Sequence, residues 1–190
     1  MREIVLDTET TGLNYKEGDR IIEVGCVELI NHIPTGKNLQ FYCSTDRKIG
    51  EDAVKIHGLT TEFLNKYSAF KEHLKNFFDF IKNDTLIIHN AEFDMGFINN
   101  ELKLVDVKPI TNRIVDTMLL ARKKLNARIT NLDHLCRRFS IDTSSRKLHG
   151  ALLDCHLLAG VYLELLGGKQ TSLNLSEFKK NNTRLTNKTQ

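Results

Sequence analysis

The chain has 190 residues, 41% hydrophobic and 27% charged. That is enough for one globular domain with its own core, and too balanced for a disordered chain. No apolar run approaches the roughly 18 residues that span a bilayer, and a carboxylate at Asp7 interrupts the start before a secretory signal's apolar centre forms. The net charge of +3 is unevenly placed: residues 169–190 hold five bases against one acid, so residues 1–168 sum to −1. Cys26, Cys43, Cys136 and Cys155 form no CxxC pair and no zinc-like spacing. They read as reduced thiols of a cytoplasmic protein.

In chain order, Ile4-Val5-Leu6 predicts a short buried strand ended by Thr10-Thr11-Gly12. Arg20–Leu29 predicts a second strand and Leu39–Cys43 a third. The short connections favour an antiparallel meander. After a polar loop, Phe70, Leu74, Phe77, Phe78 and Ile81 fall at helical spacing. Leu86-Ile87-Ile88 is a buried strand, followed by a helix through Phe93, Phe97, Ile98 and Leu102. Further helices are expected over Thr117–Leu125, over Leu132–Phe139 with Asn131 as cap, and over Ala151–Leu166, ended by Gly167-Gly168. Strands first, then helices alternating with strands, define an α/β domain on a mixed sheet flanked by helices, over residues 1–168. From Lys169 the apolar periodicity stops, which predicts a flexible basic tail over 169–190.

Three segments carry candidate chemistry. In Asp7-Thr8-Glu9-Thr10-Thr11-Gly12 the two acids are two residues apart at a strand end, so both face one side of the sheet. Paired carboxylates repel unless cations lie between them; the bland alternative is a strand end whose acids face water. In His89-Asn90-Ala91-Glu92-Phe93-Asp94 a strand edge leads into a helix that carries Asp94 in its first turn, where an acid also serves the helix dipole alone. In Leu148-His149-Gly150-Ala151-Leu152-Leu153-Asp154 a carboxylate lies among leucines, a costly place without a partner. His149 is able to take a proton from water near neutral pH; taken alone it reads equally well as an exposed loop histidine.

Together Asp7, Glu9, Asp94, Asp154 and His149 form a coherent set. Oxygen ligands without cysteine favour Mg²⁺ or Mn²⁺. Two such ions, ~4 Å apart, activate a water and stabilise the leaving oxygen in phosphodiester cleavage. In that scheme Asp7 bridges both ions, Glu9 and Asp154 complete one, Asp94 acts directly or through water, and His149 is the general base.

At these residues the sequence strongly resembles the DnaQ-like, or DEDDh, 3′–5′ exonucleases, named for four acids and a catalytic histidine. The resemblance spans roughly residues 2–168 and rests on all three signatures in order. It implies a ribonuclease H-like fold, two divalent ions per site, and release of nucleoside 5′-monophosphates from a single-stranded or frayed DNA 3′ end, as in replicative proofreading. It also implies that Glu51–Leu59 is a loop over the terminal nucleotide, with Asp52 and His57 as substrate contacts beside Asp7, Glu9 and Asp154. Relatives usually have Glu where Asp52 stands. Leu13 reads as a core residue or a wedge against the terminal base, and Arg146 and Lys147 as phosphate contacts or a solvated pair.

Gln170-Thr171-Ser172-Leu173-Asn174-Leu175 resembles the motif by which bacterial replication proteins dock on the sliding clamp, with Gln170, Leu173 and Leu175 as contacts. The physical logic is an extended peptide whose Gln makes hydrogen bonds while two leucines fill an apolar pocket. A polymerase subunit is a further implied partner. Only Ser176–Gln190 follow the motif, less than the segment by which relatives grip that subunit, which argues against attachment by the usual route and for a free or clamp-tethered exonuclease. Two alternatives stand beside this reading: an exoribonuclease of the same superfamily that trims RNA 3′ ends, and an inactive structural subunit of a replication complex.

Overall fold

The computed structural model describes residues 1–167 apart from 127 and 129, so residues 169–190 and the clamp-like motif at Gln170–Leu175 lie outside the described residues. Five strands form one sheet: β1 (Arg2–Thr10), β2 (Ile21–Ile30), β3 (Ile33–Tyr42), β4 (Thr85–Ile88) and β5 (Ile114–Asp116), in the order β3-β2-β1-β4-β5. The β1–β2–β3 meander is antiparallel, whereas β4 and β5 extend the sheet parallel to β1. Strand β1 therefore lies at the centre, paired on both sides. Its alternating residues feed two cores. Ile4 and Leu6 pack with Phe77 and Phe97 on one face, and Val5 packs with Val27, Ile87 and Leu158 on the other.

Among the described residues, seven α-helices accompany the sheet: α1 (Glu51–His57), α2 (Thr61–Leu64), α3 (Leu74–Ile81), α4 (Ala91–Leu104), α5 (Thr117–Leu125), α6 (Leu132–Arg138) and α7 (Ala151–Leu166). Asn131 caps α6 as expected, its Oδ1 accepting from the His134 N–H at 2.8 Å. All four cysteines are buried and free.

The structure departs from the sequence reading in several places. The third strand begins at Ile33 rather than Leu39 and closes on β2 through Asn31 and His32, both at positive φ, the backbone that a tight two-residue hairpin demands. As an edge strand it needs no buried face, and only Phe41 in it is buried. The segment expected as a loop over Glu51–Leu59 is helix α1, closed by Gly58 at φ 72. Strand β5, three residues long, was not foreseen. Leu13, expected in the core, is 82% exposed.

Candidate active site

The acids gather at the carboxyl end of β1. Asp7 pairs across to Gly25 and Glu9 to Glu23, so the two carboxylates share the face against which α7 packs. Gly25 allows this: a Cβ there would lie 2.4 Å from Ala151 C and Leu152 N, so only glycine lets the start of α7 rest directly on the sheet. Glu23 lies at the same end of α7, where the Ala151 and Leu152 backbone N–H groups counter the rise that burial brings to its carboxyl, while Gln40 Nε2 donates to it at 2.7 Å. One turn further in, α7 delivers Asp154 beside Glu9.

Asp94 arrives from α4 on the opposite side of β1. Its anchor is Thr8, whose Oγ1 donates to Asp94 Oδ1 at 2.8 Å. The start of α4 is fixed by Asp116 rather than by a side-chain cap from Asn90. Asp116 accepts the Ala91 N–H at 3.0 Å and also caps α5 through the Met118 N–H at 2.8 Å. Asn90 makes the turn in the left-handed region, at φ 67. Glu23 and Asp116 were both missed at the sequence level. Each is an ordinary acid at a strand position, and its role exists only once a second element lies against it.

The electrostatics of this pocket are unfavourable to its own charges. Burial, and then the charges of Asp94, Glu9 and Asp154, raise the Asp7 carboxyl well above its ordinary range. Burial, with Asp154 and Glu23 nearby, pushes Glu9 up to about 8. Burial lifts Asp94 to about 7 against the hydrogen bond from Thr8. Asp154 is the exception. Burial works to raise it, but hydrogen bonds from His149 and Arg146 prevail and hold it low. Arg146 Nε and Nη2 donate to the two Asp154 oxygens at 2.5 and 2.6 Å. Arg146 is thus neither a free phosphate contact nor part of a solvated pair; its guanidinium is turned inward.

His149 Nδ1 lies 3.3 Å from Asp154 Oδ2, and its side chain is 43% exposed. Glu9, His149 and Asp154 each offer a ligand atom within 4.8 Å of the other two. The carboxylate oxygens of Glu9 and Asp154, with the Asp7 and Asp94 carboxyls crowded beside them and no thiolate among them, fit a hard divalent cation.

Beside the acids is a cavity of about 580 Å³ between α1 and α4, lined among others by Thr8, Glu9, Leu13, Asp52, His57 and Phe93. His57 is buried, with Nδ1 accepting the Leu59 N–H at 3.0 Å, and burial lowers its pKa. Asp52 sits on the rim, its side chain 93% exposed and paired with Lys55 at 2.8 Å. The exposed Leu13 stands at the mouth. A larger groove of about 970 Å³ along α4, past Tyr15 and Lys103, contains none of the predicted residues.

Comparison with known proteins supplies the family. The family model described as Exonuclease (RNase_T) matches residues 4–162. The chain therefore belongs to the exonuclease family, and it is a 3′–5′ exonuclease. Its relatives include proteins named DNA polymerase III subunit epsilon. The one from Rickettsia felis is 45% identical over 179 residues, covering 92% of this chain and 78% of the relative. The one from Haemophilus influenzae is 48% identical over 179 residues, covering 90% and 70%. At this identity over most of both chains, the enzyme is of the epsilon-subunit kind. Among solved structures, the nuclease domain of 3′hExo, a DEDDh family member bound to rAMP, superposes with a TM-score of 0.76 at 18% identity, covering 87% of this chain and 91% of that one. Exonuclease X in complex with 5′ overhanging duplex DNA gives 0.70 at 21% identity, covering 90% and 94%. These two likenesses establish the ribonuclease H-like fold. Among the described residues, no helix is long and apolar enough to cross a membrane.

Proposed function

We propose that the chain proofreads during chromosomal replication, hydrolysing the last phosphodiester of a DNA 3′ end and releasing nucleoside 5′-monophosphates. The observation that carries this reading is the convergence of Asp7, Glu9, Asp94 and Asp154 on one pocket whose charges oppose one another. Two divalent ions, Mg²⁺ or Mn²⁺, would be held by these acids; when bound they supply charge for the attacking and leaving oxygens. His149, partly exposed beside Asp154, takes the proton of the attacking water, and Asp154 orients its ring through Nδ1. Leu13, His57 and Phe93 offer apolar and aromatic surface for the terminal nucleoside, with Asp52 at the rim. Frayed ends enter such a cavity more cheaply than paired ones, which selects mismatches.

The names of the relatives support a polymerase III setting for the chain, and the QTSLNL sequence at 170–175 supports docking on the sliding clamp through Gln170, Leu173 and Leu175. Residues 1–168 act as the exonuclease domain, with 169–190 as the appendage for partners, in the cytoplasm. The test is degradation of matched and mismatched primers with metal chelated and restored, with products separated by chromatography. Metal-dependent release of 5′-monophosphates, faster from the mismatch, is expected. Activity that survives chelation, or nucleoside 3′-monophosphates as products, overturns the mechanism.

A further inference from the structure

Arg146 is the cation that the acid cluster already owns. Its side chain is 6% exposed, yet it makes three hydrogen bonds to carboxylate oxygens and lies against His149. It grips both oxygens of Asp154, at 2.5 and 2.6 Å, pairs with Asp133 of α6, and places Nη2 3.0 Å from His149 Nδ1. The segment that carries it, between α6 and α7, has two other attachments: the His149 N–H donates to the Ile56 carbonyl at 3.0 Å, and Leu148 packs on Gly58. Arg146 therefore supplies the inward anchor of the segment that presents His149.

Resting on the metal reading above, the geometry points to Arg146 as a positioning residue: a resident counter-charge that competes with the divalent ion for Asp154 and thereby couples metal uptake to the placement of His149. Arg146 engages both Asp154 oxygens, so an ion that takes Asp154 as ligand either binds a remaining lone pair against the guanidinium's charge or displaces one of those hydrogen bonds, and displacement is the cheaper course. The guanidinium still has Asp133 to hold, so it shifts outward without becoming a stranded charge. The arrangement neutralises Asp154 and leaves Asp7, Glu9 and Asp94 as the part of the cluster that draws the ion in.

The test uses the full chain and Mn²⁺ alone, without DNA, followed by isothermal titration calorimetry. Arg146→Met keeps the stem and removes the donors, and it should bind Mn²⁺ about tenfold more tightly, the scale of one charge-assisted hydrogen-bonded pair. Arg146→Lys, a point charge without the fork, should fall between the two. A second readout uses Mg²⁺ and the NMR signal of the Arg146 Nε–H, identified by its loss in Arg146→Lys; this signal should move on metal addition in the native chain. If Arg146→Met is too unstable to titrate, Asp133→Asn removes only the outer grip and should weaken Mn²⁺ binding, because the displaced guanidinium loses its alternative partner. Equal or weaker Mn²⁺ binding by Arg146→Met, unchanged binding by Asp133→Asn, or an Nε–H signal that ignores Mg²⁺ overturns the proposal while leaving the metal site intact. A native chain that takes up no Mn²⁺ overturns the metal reading and the competition together.

Discussion

Replacing Asp7 by Asn should abolish cleavage and, with metal chelated, make the protein more stable. Asp7 has an ordinary value of 3.8 and is raised well above it by burial and then by Asp94, Glu9 and Asp154. In the unfolded chain it ionises near its ordinary value, whereas in the fold it keeps its proton, so the folded state binds more protons as pH rises. Stability is then fully present below about pH 4 and declines by roughly 1.4 kcal/mol per pH unit until the folded carboxyl also ionises. Asparagine never ionises and so escapes that loss, a gain of about 2 kcal/mol on the scale of one crowded buried carboxylate. For a chain of this size, 1 kcal/mol corresponds to roughly 2–4 °C, so Tm should rise by about 4–8 °C at pH 7. Calorimetry in chelator at pH 4.5, 7 and 8.5 measures it, and the gain must grow from the lowest pH toward the highest. A gain that is absent, or that shrinks as pH rises, refutes the crowded-carboxylate reasoning; retained cleavage refutes the role of Asp7 at the ions.

Gly25→Ala should destabilise by about 3 kcal/mol and lower cleavage, because the new methyl meets the α7 backbone rather than a side chain able to swing away; thermal melts and primer assays check both. His149→Gln should cut the turnover rate at least a hundredfold with Tm within 2 °C of the native value, since the ring is partly exposed and packs little. Glu101→Ala should cost roughly 2–3 kcal/mol in urea melts by stripping the Arg20 guanidinium of its 2.6 and 2.7 Å hydrogen bonds, with solvent at the partly exposed Arg20 limiting the loss. Replacing Gln170 and Leu173 by Ala should weaken sliding-clamp binding tenfold or more in a surface-binding assay and leave cleavage of short oligonucleotides unchanged.

Much of this arrangement was legible in the residues themselves. The apolar runs at Ile4–Leu6 and Leu86–Ile88, the helical spacing from Phe93 to Leu102 and the glycine after Leu166 all describe elements with a buried face, and each forms where its pattern lies. The convergence of Asp7, Glu9, Asp94 and Asp154 follows from three strand-edge signatures read together. What the sequence concealed has no such face. Strand β3 starts in an exposed stretch containing Pro34 and Gly36, and helix α1 buries only His57. Arg146 was concealed for a different reason. Its sequence neighbours are polar, and only the packing of α6 against α7 closes a wall around its charge.

The attachment of His149 has a consequence for descent. Asp7 and Glu9 are woven into the central strand, and Asp94 and Asp154 are locked by helices that touch it. The histidine hangs from a crossing segment held by one amide, one leucine contact and an arginine's grip. A lineage is therefore free to exchange the residue that draws off the proton, or to move it to another register, while the acid cradle stays as it is. Drift in this enzyme's chemistry should accumulate first in that short span before Gly150, long before it reaches the sheet.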